Sequence, residues 1–228
     1  MFTKISVGLA ALAAVTVGVY LRFIRPWQLR WGATDEEVAR AMPGDEVVKH
    51  PTFHATRAVT IRARPEEIWP WLVQIGTTRA GWYSYDWLDN FGIQSAQRIL
   101  PQFQQIHVGD LIPISSDGKQ GIVVQDFQAN RFLLFWSDQK GEATWYWGLY
   151  PQEDGRTRLI NRARMHYRWT PPSTLLFTLL VEFADIVMIR KCLLGIKQRA
   201  ERASRQAPEP SEAVIPEQVR QEEPVAEA

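Results

Sequence analysis

The chain has 228 residues, 46% of them hydrophobic and 22% charged, which suits one globular domain with additional segments and excludes a wholly disordered protein. A net charge of +1 argues against nucleic acid as the partner, and a lone cysteine, Cys192, excludes an intrachain disulfide and a cysteine-built metal cluster. Ten tryptophans point to a core or cavity wall rich in large rings.

Ile5 to Ile24 reads ISVGLAALAAVTVGVYLRFI, with Arg22 as its only charge. A helix of this length, at about 1.5 Å per residue, covers the roughly 30 Å hydrocarbon layer. Tyr20, Trp27 and Trp31 fall where an interfacial aromatic belt would sit. Cleavage near Ala11, Ala13 or Ala14 would leave too short an apolar stretch for a signal peptide, so an uncleaved single-pass anchor is expected. Arg22, Arg25 and Arg30 outweigh Lys4 and the amino terminus, which puts the following domain on the cytoplasmic side of the cell membrane. The expected organisation is an anchor over 1–25, a juxtamembrane connector over 26–51, a ligand-binding domain over 52–204 and a disordered tail over 205–228.

Thr34 and Glu37 form a capping box, which opens a short helix that stops at Pro43-Gly44. Val59 and Ile61 alternate with Thr60 and Arg62, the period of a half-buried strand near 56–62. Pro65-Glu66-Glu67 starts a helix whose apolar stripe includes Ile68, Leu72 and Ile75, with Pro70 shortening or kinking it. Residues 79–90 are dense in aromatics and read as a second short helix or an ordered loop. A short strand near 110–114 and longer ones near 121–127, 131–137, 144–150 and 158–169 follow. The turn chemistry of Asp138–Gly141 and Glu153-Asp154-Gly155 joins the last three as an antiparallel meander. A long helix from about 174 to 203 closes the domain, with Leu176, Leu180, Phe183, Val187 and Leu194 on one apolar stripe. Glu182, Asp185, Arg190 and Lys191 argue against its being a second membrane span. Six glutamates against Arg205 and Arg220 then mark the acidic tail as disordered.

The order strand, short helices, antiparallel strands and long final helix, together with Ala55–Ile61 followed by Arg64–Trp69, resembles the SRPBCC or START-like superfamily. Trp71–Gly76, Ala80–Ser84 and Val108-Gly109-Asp110 are similar to an uncharacterised bacterial branch of it. The resemblance spans about residues 52–203. It implies an α+β helix-grip fold, a curved antiparallel sheet around the C-terminal helix, with a cavity between them for an apolar small molecule. The superfamily includes lipid-transfer domains and polyketide cyclases and has no universal catalytic motif, so no catalytic residue is carried over.

On the last strand, Arg162, Arg164, His166 and Arg168 alternate with Asn161, Ala163, Met165, Tyr167 and Trp169. The first set is expected outside, as a solvated sheet face or, failing that, a contact for anionic lipid. Asn161, Met165, Tyr167 and Trp169, with Trp145 and Trp147 and with Trp82, Tyr83, Tyr85 and Trp87, are the candidate cavity wall, each weighed against plain core packing. Glu182 and Asp185 lie one turn apart in the apolar half of the final helix. Facing solvent they are an ordinary polar face, the favoured reading. Facing the cavity they would have raised pKa values suited to acid–base work, with His107 a further candidate. Pro51 between His50 and His54 argues against a metal site, and no phosphate-binding, dinucleotide or nucleophile-elbow motif occurs. No cofactor and no metal are expected, and the oligomeric state is open. The functional expectation is a membrane-anchored holder, sensor or carrier of an apolar ligand, with a polyketide-cyclase-like enzyme as the alternative.

Overall fold

The computed structural model describes residues 8, 12, 14–137, 143–166 and 172–206, with side chains of 172–179 left aside. Residues 14–29 are helical without a break, through a π-turn at Tyr20–Ile24 into α1 (Arg25–Leu29). Next come α2 (Asp35–Ala39), β1 (Phe53–Ile61), α3 (Pro65–Val73), α4 (Asp86–Asp89), β2 (Leu111–Pro113), β3 (Gly121–Gln128), β4 (Phe132–Ser137), β5 (Ala143–Pro151), β6 (Thr157–Met165) and α5 (Pro172–Gln206). Among the described residues no helix is long and apolar enough to cross a membrane, and the predicted span at Ile5–Ile24 lies partly outside them. The turn at 138–141 and the tail beyond 206 also lie outside.

All six strands form one antiparallel sheet in the order β1-β6-β5-β4-β3-β2. The chain-terminal strands β1 and β6 pair along nine residues, so the meander β2–β6 folds back onto the first strand. With α5 laid across one face, this is the helix-grip arrangement, and the fold class is α+β.

The main core fills the space between sheet, α3 and α5. Val59 and Ile61 of β1, Trp147 and Leu149 of β5 and Leu159 of β6 meet Ile68 and Leu72 of α3 and Ile186, Ile189, Leu193 and Ile196 of α5. The α5 positions recur every three or four residues, the helical period. Leu180, Phe183 and Val187, expected on the core-facing stripe, are instead exposed. The buried face contains Glu182, which an ion pair allows to be covered, and so the sequence periodicity pointed to the wrong side.

The opposite face of the sheet is covered too. The basic residues of β6 are neither solvated nor free for lipid. Arg158 donates to both carboxylate oxygens of Glu37, at 2.8 and 2.7 Å, and to the Gly32 carbonyl. Arg162 donates to Asp45 and to the carbonyls of Glu37, Val38 and Arg40. Arg164 donates to the Val48 carbonyl. Residues 32–48 therefore lie as a strap over the outer face, with Met42 packed among Ala58, Leu134, Tyr146 and Ile160 beneath it. The Thr34–Glu37 capping box forms as expected, and it aims Glu37 at Arg158.

Candidate functional site

A cavity of about 340 Å³ opens between α5, β5 and the loop that carries α4. Its wall is mostly apolar: Trp82, Leu88, Phe91, Ile114, Trp145 and Met188, among others, face it. Trp82 and Trp145 stack with ring centroids 5.6 Å apart and planes inclined by 28°. Trp147, two residues on along β5 and on the same face, packs with its ring 5.2 Å from that of Trp145 but is wholly buried in the core.

The loop that presents Trp82 is fixed by a buried polar network. Asp86 Oδ1 accepts from Asn90 Nδ2 at 2.7 Å and from the Ser95 hydroxyl at 2.6 Å. Asn90 Oδ1 accepts from the Trp82 amide, and Ser95 Oγ from the Tyr83 amide. The Trp82 ring nitrogen donates to Thr77 Oγ1 at 3.0 Å, which fixes the ring's orientation. Gly81 stands at φ +80°, where an added Cβ would press on Asn90 and Ser95, so the turn into the loop requires glycine. Satisfied networks of this kind specify one arrangement.

Two carboxyls face the cavity. Asp185 retains 32% of its side-chain surface and lies with Oδ2 2.7 Å from Arg57 Nη1. Arg57 projects from the concave face of β1 and has no solvent exposure, and its Nε donates to the Gln28 carbonyl. The Arg57–Asp185 contact is ionic and lacks the alignment of a hydrogen bond. Burial pushes the Asp185 carboxyl above its ordinary range, with Arg57 pulling it down and Glu182 adding to the rise. Asp89, at the end of α4, is only 9% exposed, and neither of its carboxyl oxygens has a hydrogen-bond partner. Burial pushes its carboxyl up; the nearby Ser84 hydroxyl and Tyr85 amide oppose this, and Asp86 reinforces it. Ser84 itself donates to the Met188 carbonyl across to α5. Cys192 lines the floor, its thiol pushed up by burial.

The sequence candidates thus separate. Trp82, Trp145 and Asp185 come together at the cavity. Tyr83 turns away, accepting from Gln74 and donating to the Trp71 carbonyl. Tyr85 sits beneath the Lys191 ammonium and Trp87 is 74% exposed. Asn161 is buried and donates to the Tyr146 carbonyl, while Met165 packs with Phe53 and Ala55. Tyr167 and Trp169 lie outside the described residues. His107 is exposed beside Asp110, away from the cavity. The solvent-facing expectation for Glu182 and Asp185 is overturned: Glu182 is 1% exposed and bound by Arg25, and Asp185 faces the cavity wall. Asp89 and Arg57 were missed. The only signal for Asp89 was an acid between aromatic neighbours, and for Arg57 a charge on the apolar side of a strand. Among the described residues, no group of three or more histidine, cysteine or acidic side chains is placed to hold a metal.

No family model and no curated protein matches the chain. Similar solved structures include an Aha1 dimer from Colwellia psychrerythraea, at 17% identity and a TM-score of 0.37 over 65% of this chain and 96% of that one. A polyketide-cyclase-like protein from Corynebacterium glutamicum is 15% identical with a TM-score of 0.40, over 66% and 93% of the two chains. These likenesses concern the fold alone. The chain has a helix-grip fold, as its strand order and closing helix define.

Proposed function

We propose that this protein holds an apolar small molecule in the cavity beneath α5, at a membrane surface to which its N-terminal helix ties it. The observation that carries this reading is the apolar cavity walled by Trp82 and Trp145 and held open by a hydrogen-bonded loop. Small-molecule sites have this character, mainly apolar walls with a few placed polar groups. Leu88, Phe91 and Ile114 line the cavity and are also solvent-exposed, so its mouth is apolar.

The membrane location rests on a second set of residues. Arg25 meets Glu182 and Trp31 meets Arg190, so the N-terminal helix and α5 run in the same direction. Val15, Leu21 and Phe23 on the first, and Leu180 and Phe183 on the second, are exposed. Exposed apolar surface of that extent marks a contact with lipid or protein, and the apolar run from Ile5 favours lipid.

A proton-transfer enzyme of the polyketide-cyclase kind is the second reading, favoured by the raised carboxyls of Asp89 and Asp185 on the cavity wall. Native mass spectrometry of the full chain from nanodiscs, followed by organic extraction, tests the first. A bound species of defined mass, lost on Trp145→Ala, supports it; a cavity that never retains an apolar molecule overturns it. A species whose mass changes between wild type and Asp185→Asn would favour the enzyme.

A further inference from the structure

We propose that the ligand of this cavity is an apolar amine, its basic nitrogen bound by Asp89 and its hydrocarbon or ring body lying against Trp82 and Trp145. This rests on the holding role proposed above and narrows it to a chemical class.

A carboxyl removed from water needs donors, and leaving it without them costs on the order of a few kcal/mol. Asp89 is more than nine-tenths buried and neither oxygen has a partner. The Ser84 hydroxyl has given its proton to the Met188 carbonyl, and Trp82 has given its ring proton to Thr77. The Tyr85 amide nearby offsets the cost of burial only in part, so the carboxyl gains from a further donor in the cavity it faces.

The charge balance specifies the kind of donor. Asp185, the other acid on the wall, already has Arg57 beside it. Among the described residues no basic side chain lines the cavity. The cations of this part of α5 are engaged elsewhere: Arg190 over Trp31, Lys191 over Tyr85 and Arg199 over Tyr83. Asp89 is therefore left without a counter-charge on a mostly apolar wall, which would repel a carboxylate or phosphate and attract an ammonium.

The rings point the same way. An ammonium near the face of tryptophan gains a favourable cation–π interaction, strengthened where water is excluded. Trp82 and Trp145 supply two such rings within the same wall as Asp89. A volume of about 340 Å³ lies at the small end of the roughly 300–1,000 Å³ typical of ligand sites. It suits a single short chain or a one- or two-ring body and is small for a two-chain lipid.

The test uses the full chain in zwitterionic nanodiscs and three matched molecules: 2-(1-naphthyl)ethylamine, the corresponding alcohol, and 1-naphthylacetate. Binding is read by titration calorimetry, with protein-free nanodiscs subtracted. The expected order is amine, then alcohol, then acetate, with the amine at least about tenfold tighter than the alcohol, as a charge-assisted hydrogen bond implies. Asp89→Asn should abolish that preference while leaving alcohol binding within about twofold, since Asn keeps the shape and removes the charge. Alcohol or acetate binding as tightly as the amine would overturn the amine assignment and leave the holding role intact. A preference that survives Asp89→Asn would overturn the assignment of the nitrogen to Asp89. Failure of all three to bind, with no apolar molecule extracted from the native protein, would overturn both.

Discussion

Arg25 and Glu182, 157 positions apart, meet in a two-pronged ion pair, Nε to Oε2 at 2.7 Å and Nη2 to Oε1 at 2.9 Å. The pair ties the N-terminal helix to α5 one turn before Asp185 reaches the cavity wall. Tyr20 joins the same junction through a hydrogen bond from Gln28 at 2.7 Å. The position of the N-terminal helix and the geometry of the cavity wall are thus set by adjacent residues of α5.

Arg25→Ala should be costly, because the Glu182 side chain has no exposure and would be left an unpaired buried charge. Removing one partner of such a pair typically destabilises by about 3–5 kcal/mol. A clear fall in the urea midpoint is expected, and Arg25→Ala combined with Glu182→Leu should recover much of it. Full additivity of the two changes would show that the pair is not coupled.

Arg57 and Asp185 should behave likewise. Asp185→Leu strands an arginine with no exposure, and Arg57→Met strands the acid. Each single change is expected to destabilise more than the double change Arg57→Met with Asp185→Leu, as found for buried pairs replaced by apolar residues. Thermal denaturation of the four proteins completes the cycle.

Two acids should give opposite pH responses. Burial alone would raise the Glu37 carboxyl, but the hydrogen bonds from Arg158 and the Thr34 amide outweigh it and hold the folded value below the ordinary 4.5. Its contribution is therefore present above pH 4.5 and lost as pH falls through the lower folded value. Asp89 is raised above its ordinary 3.8, so ionising it opposes folding as pH rises from 3.8 through the folded value. Glu37→Gln should cost stability at pH 7 and little at pH 3. Asp89→Asn should gain stability at pH 7 relative to pH 3, and urea titrations at both values check the pair of signs.

Gly195→Ala tests how closely α5 sits on the site loop. An added Cβ would overlap the Tyr83 carbonyl oxygen and crowd the Tyr83 Cβ. Helix propensity favours alanine there, by about 1 kcal/mol, so a net loss of about 1–3 kcal/mol would report the overpacking. A more stable variant would show that the helix can lift away without penalty.

The positions of the strands and the long final helix were legible because alternation and turn chemistry are local, and within the described residues all six strands formed within a few residues of their expected bounds. The strap over 32–48 was not. Arg158, Arg162 and Arg164 share one face of β6 with Ile160 between them, which reads equally as a wet face, and only pairing with Glu37, Asp45 and backbone carbonyls distant in sequence covers them. The same limit applied to α5. Residues such as Leu180 and Phe183 look like core, and Glu182 looks like surface, until Arg25 reverses the assignment. Trp82 and Trp145 stood out through the density of rings, whereas Asp89 could be recognised only once its lack of partners was visible.

The hydrogen bonds along 28–48 also bear on where the chain can be cut. Gln28 caps Arg57 and the Trp31 carbonyl accepts from the Ala58 amide, so the edge of β1 is closed by residues well before the strand itself. A recombinant fragment beginning at residue 52 would have Arg57, Arg158, Arg162 and Arg164 stripped of these acceptors. Such a fragment would expose an open strand edge, the kind of surface that recruits a neighbouring chain, and would self-associate before its cavity could be assayed.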